Sequence, residues 1–118
     1  MIRRLRELDT ARKTGIHGGE GEALTADYLR NGEMSGVVTA SRVVLEPGAS
    51  IGDHPHPRHD ELYLVLEGTG IGILDGERFT IGSGDMYVLK AGQSHGMLND
   101  SEKPLVFFML MTDNSIQP

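Results

Sequence analysis

The sequence contains no cysteine, which excludes disulfide bonds, thiolate metal ligands and cysteine nucleophiles. Any bound metal ion must therefore be held by nitrogen and oxygen atoms. The formal net charge is -6 and no cluster of lysines and arginines faces one side, so a nucleic-acid partner is not expected. No apolar run reaches the roughly 18 residues needed to cross a membrane, and the basic segment 1–6 lacks the apolar stretch of a signal peptide. These absences predict a cytoplasmic protein without a membrane partner.

A chain of 118 residues has the size of one domain. Its 16 glycines and 5 prolines occur at short intervals, which favours many short strands over a few long helices. Residues 1–22 are predicted to form an extended N-terminal arm, because residues 10–22 are polar and glycine-rich, and residues 3–9 have room for a short helix. Residues 23–118 are predicted to form a single β-barrel domain. The predicted fold class is therefore all-β.

From residue 23 onward, short β-prone segments alternate with turn residues. The pair Asp75-Gly76 suits a two-residue hairpin with positive φ angles, and other turn signals surround Pro47 and Ser83. Regular spacing without long helices predicts antiparallel strands in a sandwich or barrel. The predicted strands are 23–29, 36–46, 50–54, 61–67, 70–75, 77–82, 85–89, 94–99 and 104–112.

The last predicted strand, Pro104–Thr112, is apolar on both faces. A strand with one wet face would alternate apolar and polar residues, so both of its faces require burial. One face must then meet something outside the barrel core. Either the N-terminal arm covers this face, or a second copy of the chain does. Because exposed apolar patches usually mark contacts, a homodimer is the favoured prediction.

Four side chains form the candidate metal site: His54, His56, Glu61 and His95. His54 and His56 are two residues apart, so on an extended chain both imidazoles leave the same face and can bind one ion. Prolines at positions 55 and 57 keep this segment from becoming a helix. Glu61 opens the next strand, and His95 comes from far along the chain. Burying these groups without a cation would leave them unsatisfied, so the grouping predicts a metal ion.

These residues lie in two segments that resemble the motifs of the cupin superfamily. The first motif is glycine, five residues, His-any-His, three or four residues, glutamate, six residues and glycine, and Gly48–Gly68 fits it. The second motif is glycine, five residues, Pro-any-Gly, two residues, histidine, three residues and asparagine. Gly84–Asn99 fits this motif except that Lys90 stands where the family usually has proline.

The resemblance implies a jelly-roll barrel of two packed antiparallel sheets, with one metal ion inside one end. The metal would be held by both histidines and the glutamate of the first motif and by the histidine of the second. Lys90 removes a fixed φ angle from a turn but removes no ligand, so the departure concerns loop geometry rather than metal binding.

The predicted cofactor is one divalent transition-metal ion. Imidazole and carboxylate ligands suit Mn²⁺, Fe²⁺, Co²⁺, Ni²⁺, Cu²⁺ or Zn²⁺ and do not choose among them. Four protein ligands would leave about two positions open on a six-coordinate ion for a small ligand. The predicted function is a metal-dependent enzyme for a sugar derivative or short organic acid, of isomerase, lyase, decarboxylase or dioxygenase type. The alternative is a non-catalytic module that binds or senses a small molecule, because the cupin scaffold hosts both.

Tyr63 is the candidate catalytic residue, because it lies two positions after Glu61 and therefore faces the same cavity. Its hydroxyl would act as an acid, a base or a substrate-binding group, and the alternative is that its ring only packs. His17 lies in the glycine-rich arm. It is either a solvated loop residue or part of an arm that folds over a barrel mouth.

Overall fold

Two antiparallel β-sheets face each other in the computed structural model, which describes residues 1–113. In these residues the chain forms two short 3-10 turns, Leu5–Glu7 and Ile16–Gly18, and ten strands. The strands are β1 (Ala11–Thr14), β2 (Glu22–Leu29), β3 (Val37–Leu45), β4 (Ser50–Pro55), β5 (His59–Glu67), β6 (Thr69–Leu74), β7 (Glu77–Gly82), β8 (Met86–Leu89), β9 (Ser94–Leu98) and β10 (Leu105–Asp113). One sheet has the order β1-β2-β3-β10-β5-β8 and the other the order β4-β9-β6-β7.

This architecture confirms the predicted all-β jelly roll. Each of the nine predicted strands is present as one of β2 to β10, with ends that differ by at most two residues. The end of the predicted barrel domain, residues 114–118, lies outside the described residues. Within residues 1–113, no helix is long and apolar enough to span a membrane.

The core lies between the two sheets and is centred on β10. Phe107 is completely buried and lies opposite Val43 of β3 on one side and Val65 of β5 on the other. Leu105 and Met97 are also fully buried and belong to the same cluster. Because β10 is flanked by β3 and β5, its inward side chains fill the centre of the barrel. The packing holds the strands that carry the candidate ligands in a fixed register.

Two turns show how local sequence sets the strand connections. Asp75 and Gly76 adopt φ angles of 48° and 79° between β6 and β7, as expected for a two-residue hairpin. The turn from Lys90 to Gln93 has Gly92 at a φ angle of 94° and closes with a hydrogen bond from the Gln93 amide to the Lys90 carbonyl. The Lys90 amide donates to Gln93 Oε1, a bond that proline cannot make. Lys90 therefore supports this turn by another interaction.

The N-terminal arm is attached to the barrel rather than projecting from it. Residues 11–14 form β1 and pair antiparallel with β2, which adds an edge strand to the six-stranded sheet. Arg3 donates hydrogen bonds to the Tyr28 carbonyl and to Glu33, so the start of the arm is also anchored. β1 is not among the predicted strands, because its residues show no apolar–polar alternation.

Candidate metal centre

The two sheets each contribute part of the candidate metal centre. His54 on β4 lies directly opposite His95 on β9, and His56 follows the end of β4. Pairing continues past this strand end, because the Gly92 amide donates to the His56 carbonyl at 2.9 Å. Glu61 belongs to β5 of the other sheet and faces inward. The structure therefore brings all four predicted ligands together across the gap between the sheets.

The polar atoms of these side chains converge on one small volume. His54 Nε2 lies 3.0 Å from His56 Nε2, and His56 Nε2 lies 2.8 Å from Glu61 Oε2. His95 Nε2 lies 3.8 Å from Glu61 Oε2. One ligand nitrogen from each of the three histidines lies within 4.8 Å of the others. Two ligands that bind one ion at right angles, each about 2.1 Å from it, are about 3.0 Å apart, so this spacing suits a shared cation.

The tautomer of His54 leaves its inner nitrogen free for a metal ion. His54 Nδ1 lies 2.6 Å from the carbonyl oxygen of Gly52, which can only accept a hydrogen bond. The proton of the neutral ring is therefore on Nδ1, and the lone pair of Nε2 faces the other ligands. Such a backbone hydrogen bond commonly orients a metal-binding imidazole.

Glu61 is buried, and a hydrogen bond with the Tyr63 hydroxyl only partly offsets the cost of its charge. Its side chain is 4% exposed, and within residues 1–113 its Oε2 atom has no hydrogen-bond partner of acceptable geometry. Burial raises the pKa of Glu61 from 4.5 to about 7. Burial also lowers the pKa of His56 to about 4 and that of His95 to about 3, and the nearby His54 lowers both further. The site therefore favours neutral imidazoles, and a divalent cation would supply the charge that the carboxylate lacks.

These observations fit a divalent transition-metal ion better than a purely structural cluster. Converging nitrogen lone pairs repel one another unless a cation or a proton lies between them, and an unpartnered buried carboxylate oxygen is costly. The residues that would hold the ion are His54, His56, Glu61 and His95. The three histidines are close enough together to form a possible metal site. Glu61 Oε2 lies in the same small volume, 2.8 Å from His56 Nε2.

A cavity of about 140 Å³ adjoins the metal centre and is named here the metal-site cavity. It is much smaller than the roughly 300–1,000 Å³ of pockets for drug-sized ligands. Most of its wall area is apolar. The lining residues are Lys13, Ile16, His17, Thr25, Val43, Ile51, His56, Glu61, Tyr63, Phe107, Met109 and Met111.

Comparison with known proteins identifies the family. Residues 41–111, which are more than half of the chain, match the family described as Cupin domain. The chain belongs to the cupin family. This cupin is 30% identical to an oxalate-binding protein of Thermotoga maritima over 112 residues, which cover 94% of this chain and 93% of the relative. The resemblance to cupins predicted from the two sequence motifs is thus confirmed.

Solved structures support the same assignment. The crystal structure of a predicted oxalate decarboxylase from Thermotoga maritima is 30% identical and superposes with a TM-score of 0.92, covering 96% of this chain and 99% of that chain. The structure of KdgF from Halomonas sp. is 21% identical, with a TM-score of 0.75 and coverage of 94% and 92%. The second likeness shows the fold alone.

Tyr63, the candidate catalytic residue, is buried beside the candidate metal ligands. Its side chain is 3% exposed, and its ring stacks on the His95 ring with centroids 4.5 Å apart. Its hydroxyl lies 3.3 Å from His95 Nε2 and interacts with Glu61. Burial, and then the charge of Glu61, raise the pKa of Tyr63 well above its ordinary value. The hydroxyl therefore stays protonated and is suited to donating a hydrogen bond.

His17 of the arm reaches the metal centre. Its ring stacks on the His54 ring, with centroids 3.5 Å apart and an interplanar angle of 13°. Of the two alternatives that the sequence left open, the structure supports an arm that folds over a barrel mouth. Parallel stacking places His17 beside the ligand cluster rather than within it, and His17 also lines the metal-site cavity.

Other residues of the two motifs have structural roles. Asn99 is completely buried, and its amide donates to the carbonyls of Leu45 and Lys103. Gln93 holds its own turn and donates to Asp75. Sequence reasoning missed Lys13, which lines the metal-site cavity. The only signal for it would have been the strand pairing of β1, which the polar sequence of the arm does not predict.

Proposed function

We propose that this cupin binds one divalent transition-metal ion through His54, His56, Glu61 and His95 and holds a small carboxylate on the open side of that ion. The observation that carries the proposal is the buried, unpartnered Oε2 atom of Glu61 within 2.8 to 3.8 Å of two imidazole nitrogens. A divalent cation would satisfy this oxygen and the nitrogens together. When bound, the ion would supply Lewis-acid attraction for a ligand oxygen.

Three features favour a short organic acid over a sugar derivative as the ligand. The metal-site cavity measures about 140 Å³, which is small for a sugar ring with its substituents. Its walls are largely apolar, so they offer few partners for several hydroxyl groups. One relative is named an oxalate-binding protein and one solved structure a predicted oxalate decarboxylase. Oxalate is therefore the first ligand to test.

Elemental analysis of the protein purified without chelator tests the metal site. We expect about one transition-metal ion per chain, and we expect the double variant His54→Ala, His56→Ala to lose it, because two of four ligands are removed. The matched control is His59→Ala, which removes a histidine outside the ligand cluster and should retain the metal. Wild-type metal content in the double variant would overturn the ligand assignment.

A second candidate function is the decarboxylation of a bound oxalate. This reaction breaks the carbon–carbon bond, releases carbon dioxide and places a proton on the carbon of the formate product. The observation that favours it is the buried hydroxyl of Tyr63, which stays protonated and lines the metal-site cavity. Tyr63 would supply that proton as the catalytic acid and be reprotonated from water. Incubation of metal-loaded protein with ¹³C-oxalate separates the two functions: labelled formate indicates an enzyme, and unchanged, retained oxalate indicates a binding protein.

We also propose that the protein works in the cytoplasm as a homodimer. The outer face of the six-stranded sheet carries an apolar stripe formed by partly exposed side chains of three adjacent strands. Cross-strand pairing aligns Leu62 with Leu110 and with Val88, and Leu64 with Phe108. The arm adds β1 at the edge of this sheet, four strands from β5, and so leaves the stripe open. A second copy of the chain would bury it.

A further inference from the structure

Strand β1 of the arm places an exposed lysine on the sheet face that borders the metal-site cavity. Lys13 lies opposite Ala23, which is fully buried in the core, and lines the metal-site cavity together with Thr25 of β2. Its neighbour Arg12 lies on the other face of the sheet, where it forms an ion pair with Glu22. The alternation of side chains along a strand therefore directs one of these two cations to the cavity and the other to the outside.

Lys13 is available for a ligand. Asp9 and Asp27 line a groove that also borders Lys13, but within residues 1–113 no carboxylate oxygen lies within 4.0 Å of its ammonium group. Among the described residues that line the metal-site cavity, Lys13 is the only lysine or arginine. A cation on the inner face of an edge strand, beside a metal centre and without an ion pair, is suited to binding an anion.

The segment that follows β1 is fixed at the mouth of the same cavity. His17 has a φ angle of 50°, which is uncommon for a residue with a side chain and often marks a functional site. Its carbonyl packs so closely on Gly52 that an added Cβ atom there would lie 2.1 Å from the oxygen. The Ser50 amide donates to the Glu20 carbonyl and ties the segment to β4. These contacts keep the His17 ring against His54 at the cavity.

The charges around the cavity match a ligand with two negative charges. A divalent ion held by one carboxylate and three neutral imidazoles leaves one net positive charge, and Lys13 adds a second. A monocarboxylate would neutralise only one of them. A dicarboxylate would place one carboxylate at the metal and the other near the arm, and its short chain would fit a cavity of about 140 Å³.

We infer that Lys13 and His17 recognise the second carboxylate of a short dicarboxylate ligand whose first carboxylate binds the metal ion. The inference rests on the proposed function, because it requires the metal centre to hold a carboxylate. Lys13 supplies the charge, and His17 supplies a ring N–H donor at the cavity mouth. The arm thus acts as the part of the molecule that selects dianions over monoanions.

Isothermal titration of Mn²⁺-loaded full-length protein with oxalate and with acetate tests the inference. We expect Lys13→Met to weaken oxalate binding about tenfold or more, because a charge-assisted interaction is lost, and to change acetate binding by less than about threefold. His17→Asn, which tolerates the positive φ angle, should weaken oxalate binding in the same selective way. Lys13→Arg should retain the preference for oxalate. Arg12→Met is the matched control, since it removes the neighbouring cation on the outer face.

The outcomes separate the inference from the proposed function. If wild-type protein binds Mn²⁺ but neither oxalate nor acetate, the proposed function is wrong. If wild-type protein binds oxalate and Lys13→Met binds it equally well, only the role of Lys13 is wrong. Equal weakening by Lys13→Met and Arg12→Met would show a general effect of surface charge and would overturn the inference. Loss of Mn²⁺ from Lys13→Met would overturn it too, because Lys13 would then act on the metal centre.

Discussion

The buried carboxyl group of Glu61 should make the stability of the metal-free protein depend on pH. Its pKa is raised from 4.5 to about 7, because burial disfavours the charged form in the folded state. Below pH 4.5 the group is protonated in both the folded and the unfolded protein, so it does not change the free energy of unfolding. Between pH 4.5 and about 7 the folded state holds more protons, so the free energy of unfolding falls as the pH rises. Above pH 7 the destabilisation is complete.

The size of this effect follows from the pKa difference. At about 1.4 kcal/mol per pKa unit, a rise from 4.5 to about 7 corresponds to about 3 kcal/mol. Glu61→Gln keeps the size of the side chain and removes the charge. The metal-free variant should therefore be more stable than metal-free wild type by about 3 kcal/mol at pH 8, and the difference should vanish near pH 4.5.

Urea unfolding in the presence of chelator, measured at intervals from pH 4.5 to pH 8, checks this prediction. The lowered pKa values of His56 and His95 destabilise the folded state as the pH falls below 6.5, but both proteins carry these histidines. The difference between the two curves therefore reports the Glu61 charge together with its effect on these two neighbouring histidines. Glu67→Gln, an exposed position on the same strand, is the control and should give no pH-dependent difference. Parallel curves for Glu61→Gln and wild type would refute the reasoning.

Two further predictions concern the cavity and the outer sheet face. Tyr63→Phe removes the hydroxyl that lies beside His95 and Glu61, so we expect metal and oxalate binding within about threefold of wild type and formate production lowered about a hundredfold or more. Unchanged formate production, measured by ¹³C nuclear magnetic resonance, would show that Tyr63 only packs. Leu62→Glu places a charge in the outer apolar stripe and should weaken the homodimer about thirtyfold or more, whereas Thr80→Glu on the exposed part of β7 should not. Light scattering after size-exclusion chromatography measures the molar mass of each variant. A monomeric wild type would contradict the proposed dimer.

The barrel strands were predictable because their sequence pattern and turn chemistry agree. The hairpin at Asp75-Gly76 has the residues that its positive φ angles require, and the flanking segments alternate. The start of β5 was less predictable. This strand begins at His59 rather than Glu61, because its first two residues pair with the end of β10: His59 lies opposite Asp113 and Asp60 opposite Thr112. Such pairing leaves no local signal.

The candidate ligands were predictable for a similar reason. The spacing of His54 and His56 has a direct meaning on an extended chain, and a buried Glu61 needs a partner. The contribution of the arm was not predictable in the same way. Ala11–Thr14 is exposed on both faces and lies at a sheet edge, so only its register with β2 shows that Lys13 shares a face with the buried Ala23. The register depends on tertiary contacts rather than on local propensity.

Gly52 connects the metal centre to the arm, although it lies at a variable position of the first cupin motif. Its carbonyl accepts the hydrogen bond that fixes the His54 tautomer. Its missing side chain also lets the His17 carbonyl approach, since an added Cβ atom would lie 2.1 Å from that oxygen. One residue therefore orients a candidate ligand and admits the segment that lines the cavity. In this cupin the motif positions supply the candidate metal ligands, whereas Gly52, which lies between them, admits the arm segment that lines the cavity.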